Sequence, residues 1–299
     1  MKKVMMLCPV ILFVIAGFFA VRAQDDEVIK VDSSVVVLNA SITDGAGKAV
    51  NGLGRSLFHV FEDGKEQEVR TFGTEETPFA AAILIDTSGS MERRVALARS
   101  AAIEFLRGLR ADDVTALYKF DSKVELLREF SNGRDLEDRI FDLKADGMTA
   151  LNDAVYAAAV ALSNRPERRR AIIVLSDGAD NFSKHGTDKA LRSALAANAT
   201  IYTVDMSSPD EPISGRVQNQ GVLKNFAEKT GGKFIATPGG IQLREAFARI
   251  AAELGSHYTL TYAPFEMKRD GKWHSIELRV SHPGLSIRTR KGYNAPKDK

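Results

Sequence analysis

Cysteine is almost absent from this sequence of 299 residues, and the single one is Cys8. It lies in an apolar N-terminal stretch, so the remainder of the chain has no disulfide and its core must hold it together unaided. An excess of charge of one sign is also lacking, because 41 basic residues face 39 acidic ones. A nearly neutral chain gives no electrostatic argument for binding nucleic acid or an anionic membrane surface.

Long hydrophobic runs are absent except for residues 4–20. Two lysines precede this run, and small residues end it at Ala23, which is the pattern of a cleavable signal peptide. We predict a signal peptide over residues 1–23, cut before Gln24, and a secreted or periplasmic chain with no membrane insertion after cleavage. The alternative is a retained anchor, since an apolar run of this length lies at the short edge of what spans a bilayer. Loss of the leader would change the net charge from +2 to −1.

Two segments at either end of the chain are typical of β structure. Residues 24–77 contain β-branched runs, and Asp63-Gly64 separates the runs 58–62 and 66–70 as in a tight hairpin. Residues 255–299 return to short strands between turn signals. Because each segment alone is small for an independent core, we expect them to pair into one β-sandwich. Two separate small modules are the alternative.

The segment between them, residues 78–254, alternates apolar strands with helical periodicity. The runs 80–85 and 171–175 are continuously apolar, as in strands buried on both faces. Such alternation predicts an α/β fold with a doubly wound, mainly parallel, Rossmann-like sheet, inserted into or flanked by the smaller all-β sandwich. The same patterns predict strands at 114–120, 124–130, 200–204 and 233–236, a long polar loop at 207–220, and helices at 95–109, 136–143, 151–162, 188–197, 222–229 and 241–254.

Polar residues follow both of the continuously apolar strands. Asp86, Ser88 and Ser90 come after the first, and Asp177 comes after the second. Thr149 opens the helix that lies between them in the sequence. Ligands of open α/β sheets bind at the carboxyl ends of strands where the strand order reverses, so these side chains converge if the two strands are neighbours.

Two carboxylates and three hydroxyls form a set of oxygen donors only. Such a set suits a hard cation, Mg²⁺ or Mn²⁺, and disfavours zinc because neither histidine nor cysteine takes part. With few direct carboxylates the ion stays electron-poor, so a Glu or Asp of a protein partner is a favoured last ligand. This chemistry is binding and breaks no bond, which predicts a protein that is not an enzyme.

These residues resemble the metal-ion-dependent adhesion site of von Willebrand factor type A (VWA) domains. The resemblance rests on Asp86-x-Ser88-x-Ser90, Thr149 and Asp177, together with the apolar strands before both aspartates. It covers about residues 78–254. The flanks, through the hairpin at 61–65 and the segments 271–274 and 290–293, resemble a bacterial family of secreted VWA-related proteins. The resemblance implies a metal-dependent adhesion or assembly module that binds an acidic group of a protein partner.

Other interpretations of the same residues stay open. Asp86, Ser88 and Ser90 also suit turn capping, and an isolated cluster would be interpreted that way. A structural envelope component could use the metal only to stiffen its loops, and a metal-dependent hydrolase would need a nucleophile with a base. Asp153 is either a helix cap or a brace of the site, and His185 either lines the metal face or is an ordinary loop residue.

Overall fold

The structure, a computed structural model, describes residues 35–73, 77–132, 143–207, 213–236, 240–266 and 269–297. The predicted signal peptide and nearly all of the helix predicted at 136–143 lie outside the described residues. None of the described helices is both long enough and apolar enough to cross a bilayer.

Strands occur along the whole described chain and alternate with helices only in its middle part. The strands are β1 (Val36–Thr43), β2 (Phe58–Glu62), β3 (Lys65–Gln67), β4 (Val69–Gly73), β5 (Phe79–Asp86), β6 (Val114–Phe120), β7 (Val124–Ser131), β8 (Arg169–Ser176), β9 (Ala199–Asp205), β10 (Phe234–Ala236), β11 (Tyr258–Tyr262), β12 (Trp273–Val280), β13 (Ser286–Arg288) and β14 (Gly292–Asn294). The helices are α1 (Val95–Arg107), α2 (Leu151–Ser163), α3 (Thr187–Ala196), α4 (Ile213–Thr230) and α5 (Gly240–Gly255).

The central sheet has six strands in the order β10-β9-β8-β5-β6-β7. All its neighbours are parallel except β7, which pairs antiparallel with β6. Every residue of β5 is buried, because successive side chains point alternately into two apolar layers. Helices α1 and α5 form one layer and α2, α3 and α4 form the other. The predicted α/β fold class is therefore confirmed.

Strand order reverses at the centre of this sheet. The chain runs from β5 outward through α1 to β6 and β7, then returns through α2 to β8, on the other side of β5. β5 and β8 are direct neighbours, with Ile85 opposite Leu175 near their carboxyl ends. The crevice where ligands bind in open α/β sheets therefore lies at the ends of these two strands.

The two terminal segments form two antiparallel sheets of four strands, ordered β13-β1-β11-β4 and β14-β12-β2-β3. Each sheet contains strands from both ends of the chain, since β1 pairs with β11 and β2 pairs with β12. The inner faces of both sheets meet in a single apolar core that includes Leu38, Val60, Leu260 and Leu278. This core is separate from the two apolar layers of the central sheet.

Polar contacts join the sandwich to the α/β part. The buried guanidinium of Arg169, at the start of β8, donates to backbone carbonyls of Gly255 and His257. Arg290 donates to the carbonyl of Leu195 at 3.2 Å and to the side chain of Asn198 at 2.9 Å. These contacts hold the central sheet against the sandwich.

Two local predictions were wrong. Residues 213–220 belong to α4 and not to a loop; their apolar residues Ile213 and Val217 are exposed, so no buried face reveals the helix in the sequence. The run 66–70 is not one strand, because the chain leaves one sheet after Gln67 and enters the other at Val69. That change of sheet depends on tertiary packing and has no local sequence signal.

Candidate metal site at the carboxyl end of the sheet

Asp86 ends β5 with both carboxylate oxygens occupied. Its Oδ1 accepts hydrogen bonds from the backbone N–H of Ser88 at 2.9 Å and from the Ser88 hydroxyl at 2.6 Å. The Ser88 hydroxyl also lies 3.2 Å from that of Ser90. Asp86 and Ser88 are buried, whereas Ser90 is exposed. The hydroxyl groups of Ser88 and Ser90 therefore connect the buried carboxylate of Asp86 to the protein surface.

Asp177 follows β8 and is also buried. The link between the two acidic turns is Ser176, whose hydroxyl donates to Asp86 Oδ2 at 2.5 Å and accepts the backbone N–H of Gly178 at 3.0 Å. Gly178 has a φ of +82°, and a Cβ there would lie 2.5 Å from the carbonyl oxygen of Asn219 in α4. Only glycine fits this position, which lets the turn after Asp177 pack closely against α4.

Thr149 lies in a loop that contacts both acidic turns. The backbone N–H of Gly89 donates to Gly147 at 3.1 Å, joining this loop to the Asp86 turn. Thr149 donates its own N–H to the Asn181 side chain at 2.8 Å and accepts backbone N–H groups of Asn181 and Phe182, each at 3.0 Å. All five residues predicted from the sequence thus lie on three loops held together at one end of the sheet.

Burial and a neighbouring carboxylate disfavour the ionised form of Asp86. Burial and the negative charge of Asp177 raise the pKa of Asp86 to about 7, although hydrogen bonds from Ser176 and Ser88 oppose the rise. No basic side chain within the described residues forms an ion pair with either carboxylate. Two buried acids without a cationic partner, together with three hydroxyl groups, fit a hard metal ion.

A second set of polar groups braces the loop that follows Asp177. The carboxylate of Asp153, in the first turn of α2, accepts the backbone N–H groups of Lys184 at 3.0 Å and His185 at 2.9 Å. The His185 ring lies 2.6 Å from the same carboxylate and stacks on Tyr156 with ring centroids 4.1 Å apart. Asp153 therefore acts as a brace, and His185 is held by these neighbours.

Sequence reasoning missed Asp205, which ends β9 beside Ser176. Its Oδ1 accepts the backbone N–H of Ser207 at 2.9 Å and its hydroxyl at 2.5 Å, and its Oδ2 accepts Gln220 Nε2 at 2.7 Å. This turn repeats the hydrogen bonding of the Asp86 turn and ties α4 to the sheet. The Asp-x-Ser spacing at another strand end was the signal that could have revealed it.

Comparison with known proteins agrees with this architecture. The family model described as von Willebrand factor type A domain matches residues 81–179, from β5 to the turn after β8. Comparison with curated proteins gives no match.

Solved structures share the fold at low sequence identity. A von Willebrand factor type A protein from Catenulispora acidiphila aligns with 89% of this chain and 75% of its own, at 14% identity and a TM-score of 0.50. Three N-terminal domains of the type V pili tip protein Mfa5 from Porphyromonas gingivalis align with 87% of this chain and 68% of their own, at 12% identity and a TM-score of 0.50.

The match to a minor pilin covers a smaller part of both chains. PilB from Streptococcus sanguinis aligns with 60% of this chain at 14% identity and a TM-score of 0.48, and the match spans only 62% of the pilin's own length. At these identities the similarity concerns the fold alone. The reversed strand order at β5 and β8 and the match over residues 81–179 together show that this segment of the chain is similar to von Willebrand factor type A domains.

Proposed function

We propose that this protein binds a protein partner outside the cytoplasm through one divalent ion, Mg²⁺ or Mn²⁺, held by Asp86, Ser88, Ser90, Thr149 and Asp177. The observation that supports the proposal is the meeting of two buried acids and three hydroxyl-bearing residues on three joined loops. Export, with cleavage of residues 1–23, is part of the same proposal.

The hydrogen bonds of the loops indicate which residues would bind the ion directly and which would act through water. Asp86 already accepts bonds from Ser88 and Ser176, so it would act on the ion mainly through neighbouring hydroxyl groups and water. The hydroxyls of Ser88, Ser90 and Thr149 would be the direct ligands. A bound ion would supply a Lewis-acidic position with little direct negative charge around it, which favours a carboxylate from outside.

The surface around the site fits a partner that is partly apolar. Met148, next to Thr149, has 45% of its surface exposed, and Phe182, which contacts the Thr149 carbonyl, has 49% exposed. Large apolar side chains at the surface are common in the cores of protein interfaces. We therefore expect an acidic residue flanked by apolar side chains on the partner. The role of Mfa5 as a pilus tip protein is consistent with adhesion or assembly.

One alternative is that the metal only stiffens the loops of a structural envelope component. The loops are already joined by backbone hydrogen bonds, including Asp146 N–H to Thr87 at 2.8 Å and Gly89 N–H to Gly147 at 3.1 Å. These bonds need no ion, which favours the binding role. A hydrolase is disfavoured, since within the described residues no serine of the site contacts a histidine.

Capture of partners from envelope extract tests the proposal. Wild-type protein should capture a partner in Mg²⁺ and lose it in EDTA, and Thr149→Ala should lose it in both, since one ligand hydroxyl is gone. Asp188→Asn, which changes an exposed acid in the first turn of α3, is the matched control and should behave as wild type. Capture that persists in EDTA would contradict the proposal. Unchanged capture with a lowered melting temperature in Thr149→Ala would favour the structural alternative.

A further inference from the structure

A second cluster of metal-binding groups lies in the sandwich, away from the site described above. Glu62 ends β2, Asp63 begins the tight turn to β3, and His274 lies in the neighbouring strand β12. One ligand atom from each of the three lies within 4.8 Å of the other two. The three residues are brought together by pairing of strands that are more than 200 positions apart in the chain.

Two distances between the donor atoms bracket the spacing expected around a tetrahedral ion. His274 Nδ1 lies 2.8 Å from Asp63 Oδ2 and 3.8 Å from Glu62 Oε1. Ligands at roughly 2.0 to 2.2 Å from a tetrahedral zinc ion lie about 3.4 Å from one another, a value between the two observed distances. Small side-chain shifts would therefore admit an ion between them.

Neighbouring groups fix the orientation of these ligands. The other ring nitrogen of His274, Nε2, lies 3.4 Å from Asp270 Oδ1, and a carboxylate in that position is typical of metal-bound histidine. The hydroxyls of Tyr262 and Tyr293 donate to the two oxygens of Glu62 at 2.7 and 3.2 Å. An ionised carboxylate can accept about four bonds, so Glu62 keeps free lone pairs for an ion.

The chemistry of this cluster differs from that of the Asp86 site. One imidazole and two carboxylates suit zinc, whereas oxygen donors alone suit magnesium. His274 and Glu62 are buried, while the exposed Asp63 leaves a route from solvent and a position for water. A cross-link here would join the β2–β3 turn to β12, in a sandwich whose described residues contain no cysteine.

We propose that Glu62, Asp63 and His274 form a zinc site that cross-links β2 to β12, with Asp270 orienting the histidine. The competing explanation is that His274 only hydrogen-bonds to its surrounding carboxylates, with no metal. The proposal is independent of the Asp86 site, and Asp86→Asn should bind zinc as wild type does.

Zinc titration of the purified chain, followed by calorimetry and by the melting temperature, separates the two explanations. We expect one Zn²⁺ per wild-type chain with a rise in melting temperature, and at least a hundredfold weaker binding in His274→Asn. Asp63→Asn, which can still accept the hydrogen bonds from Ser275, should bind at least tenfold more weakly. Asp270→Asn should lose roughly tenfold.

His59→Asn is the matched control. His59 lies on β2 with Nδ1 2.8 Å from Glu66, the same distance as in the His274–Asp63 pair, but among the described residues it contacts only that one acid. It should keep the zinc affinity and the rise in melting temperature. Replacement of zinc by Co²⁺ should give a visible absorption band in wild type and His59→Asn that His274→Asn lacks. No zinc uptake by wild type, or equal uptake by wild type, His274→Asn and Asp63→Asn, would overturn the proposal.

Discussion

Ser176 shows how one small side chain can set the distance between two acidic turns. Its hydroxyl bonds to Asp86 and to the turn after Asp177, so it joins β5 to β8 at their carboxyl ends. The sequence predicted both aspartates from their positions after apolar strands. It did not reveal the role of Ser176, because a serine at a strand end has many possible partners and the fold decides which it meets.

Glu253 is a partly buried acid at the junction of the two parts. Its carboxylate accepts the Tyr202 hydroxyl at 2.7 Å and pairs with Arg288 at 2.5 Å. Burial alone would raise its pKa, but the hydrogen bond with His257 and the charge of Arg288 outweigh burial and lower the pKa to about 2. The ionised form is therefore strongly favoured in the folded state.

Glu253→Gln should lower the free energy of unfolding at neutral pH by roughly 3 kcal/mol, because Arg288 and His257 lose their acidic partner. A lowered folded pKa stabilises the protein above the ordinary value of 4.5 and loses that effect as the pH falls towards 2. The stability of wild type and variant, measured by denaturant unfolding, should therefore converge between about pH 4.5 and 2.

Glu277→Gln is the control for this acid titration. Glu277 also pairs with an arginine, Arg279, at 2.8 Å, but the pair is exposed on β12. Exposed pairs contribute little to stability, so the variant should stay close to wild type throughout. A constant difference between wild type and Glu253→Gln across the acidic range would contradict the role given to Glu253.

Helix α4 is the element where sequence and structure differ most. Its first half is polar, contains Gly215 and Gly221, and exposes its apolar residues, so neither periodicity nor propensity indicates a helix. It forms because its neighbours hold it: Gln220 bonds to Asp205, and the Asn219 carbonyl packs on Gly178. By contrast, β5 and β8 were predicted well because a continuous apolar run of that length is typical of a strand buried on both faces.

Gly221→Ala tests the extent of α4. A Cβ at Gly221 meets nothing within 4 Å, so alanine should raise the free energy of unfolding by about 0.5–1 kcal/mol through helix propensity. If the helix instead began at residue 222, alanine would replace a glycine at the N-cap and lower stability slightly.

Gly178→Ala should lower the free energy of unfolding by roughly 1–3 kcal/mol, because of the positive φ of Gly178 and its contact with α4. Thermal or chemical unfolding measures both.

The cluster of Glu62, Asp63 and His274 could not be predicted from the sequence. The Asp63-Gly64 turn could be predicted because its signal is local. Its position beside β12 could not be predicted, because that pairing depends on the whole sandwich. Asp86 and Asp177, the acids of the proposed metal site, were easier to associate, because parallel strands of one sheet end at the same edge.

At the scale of the whole molecule, the two ends of the chain depend on each other. β1 lies between β11 and β13, and β2 pairs with β12. The N-terminal segment alone would therefore have unpaired strands and only part of the apolar core. Residues 24–77 expressed alone should therefore show no cooperative thermal transition.

A fusion of the terminal segments provides the comparison for this fragment. Gly73 lies opposite Thr259 in the pairing of β4 with β11, so the two ends of the α/β part leave the sandwich side by side. A short glycine linker from residue 73 to residue 257 should give a fusion that melts cooperatively, at lower stability than the full chain. A cooperative transition of residues 24–77 alone would instead favour two separate modules.

Calorimetric titration with Mg²⁺ and Mn²⁺ tests the central claim most directly. Wild type, Asp188→Asn and His274→Asn should each bind one ion per chain, whereas Asp86→Asn, nearly identical in shape, should bind at least a hundredfold more weakly and remain folded. Absence of uptake by wild type, or equal uptake by Asp86→Asn, would contradict the account of the site at the carboxyl ends of β5 and β8.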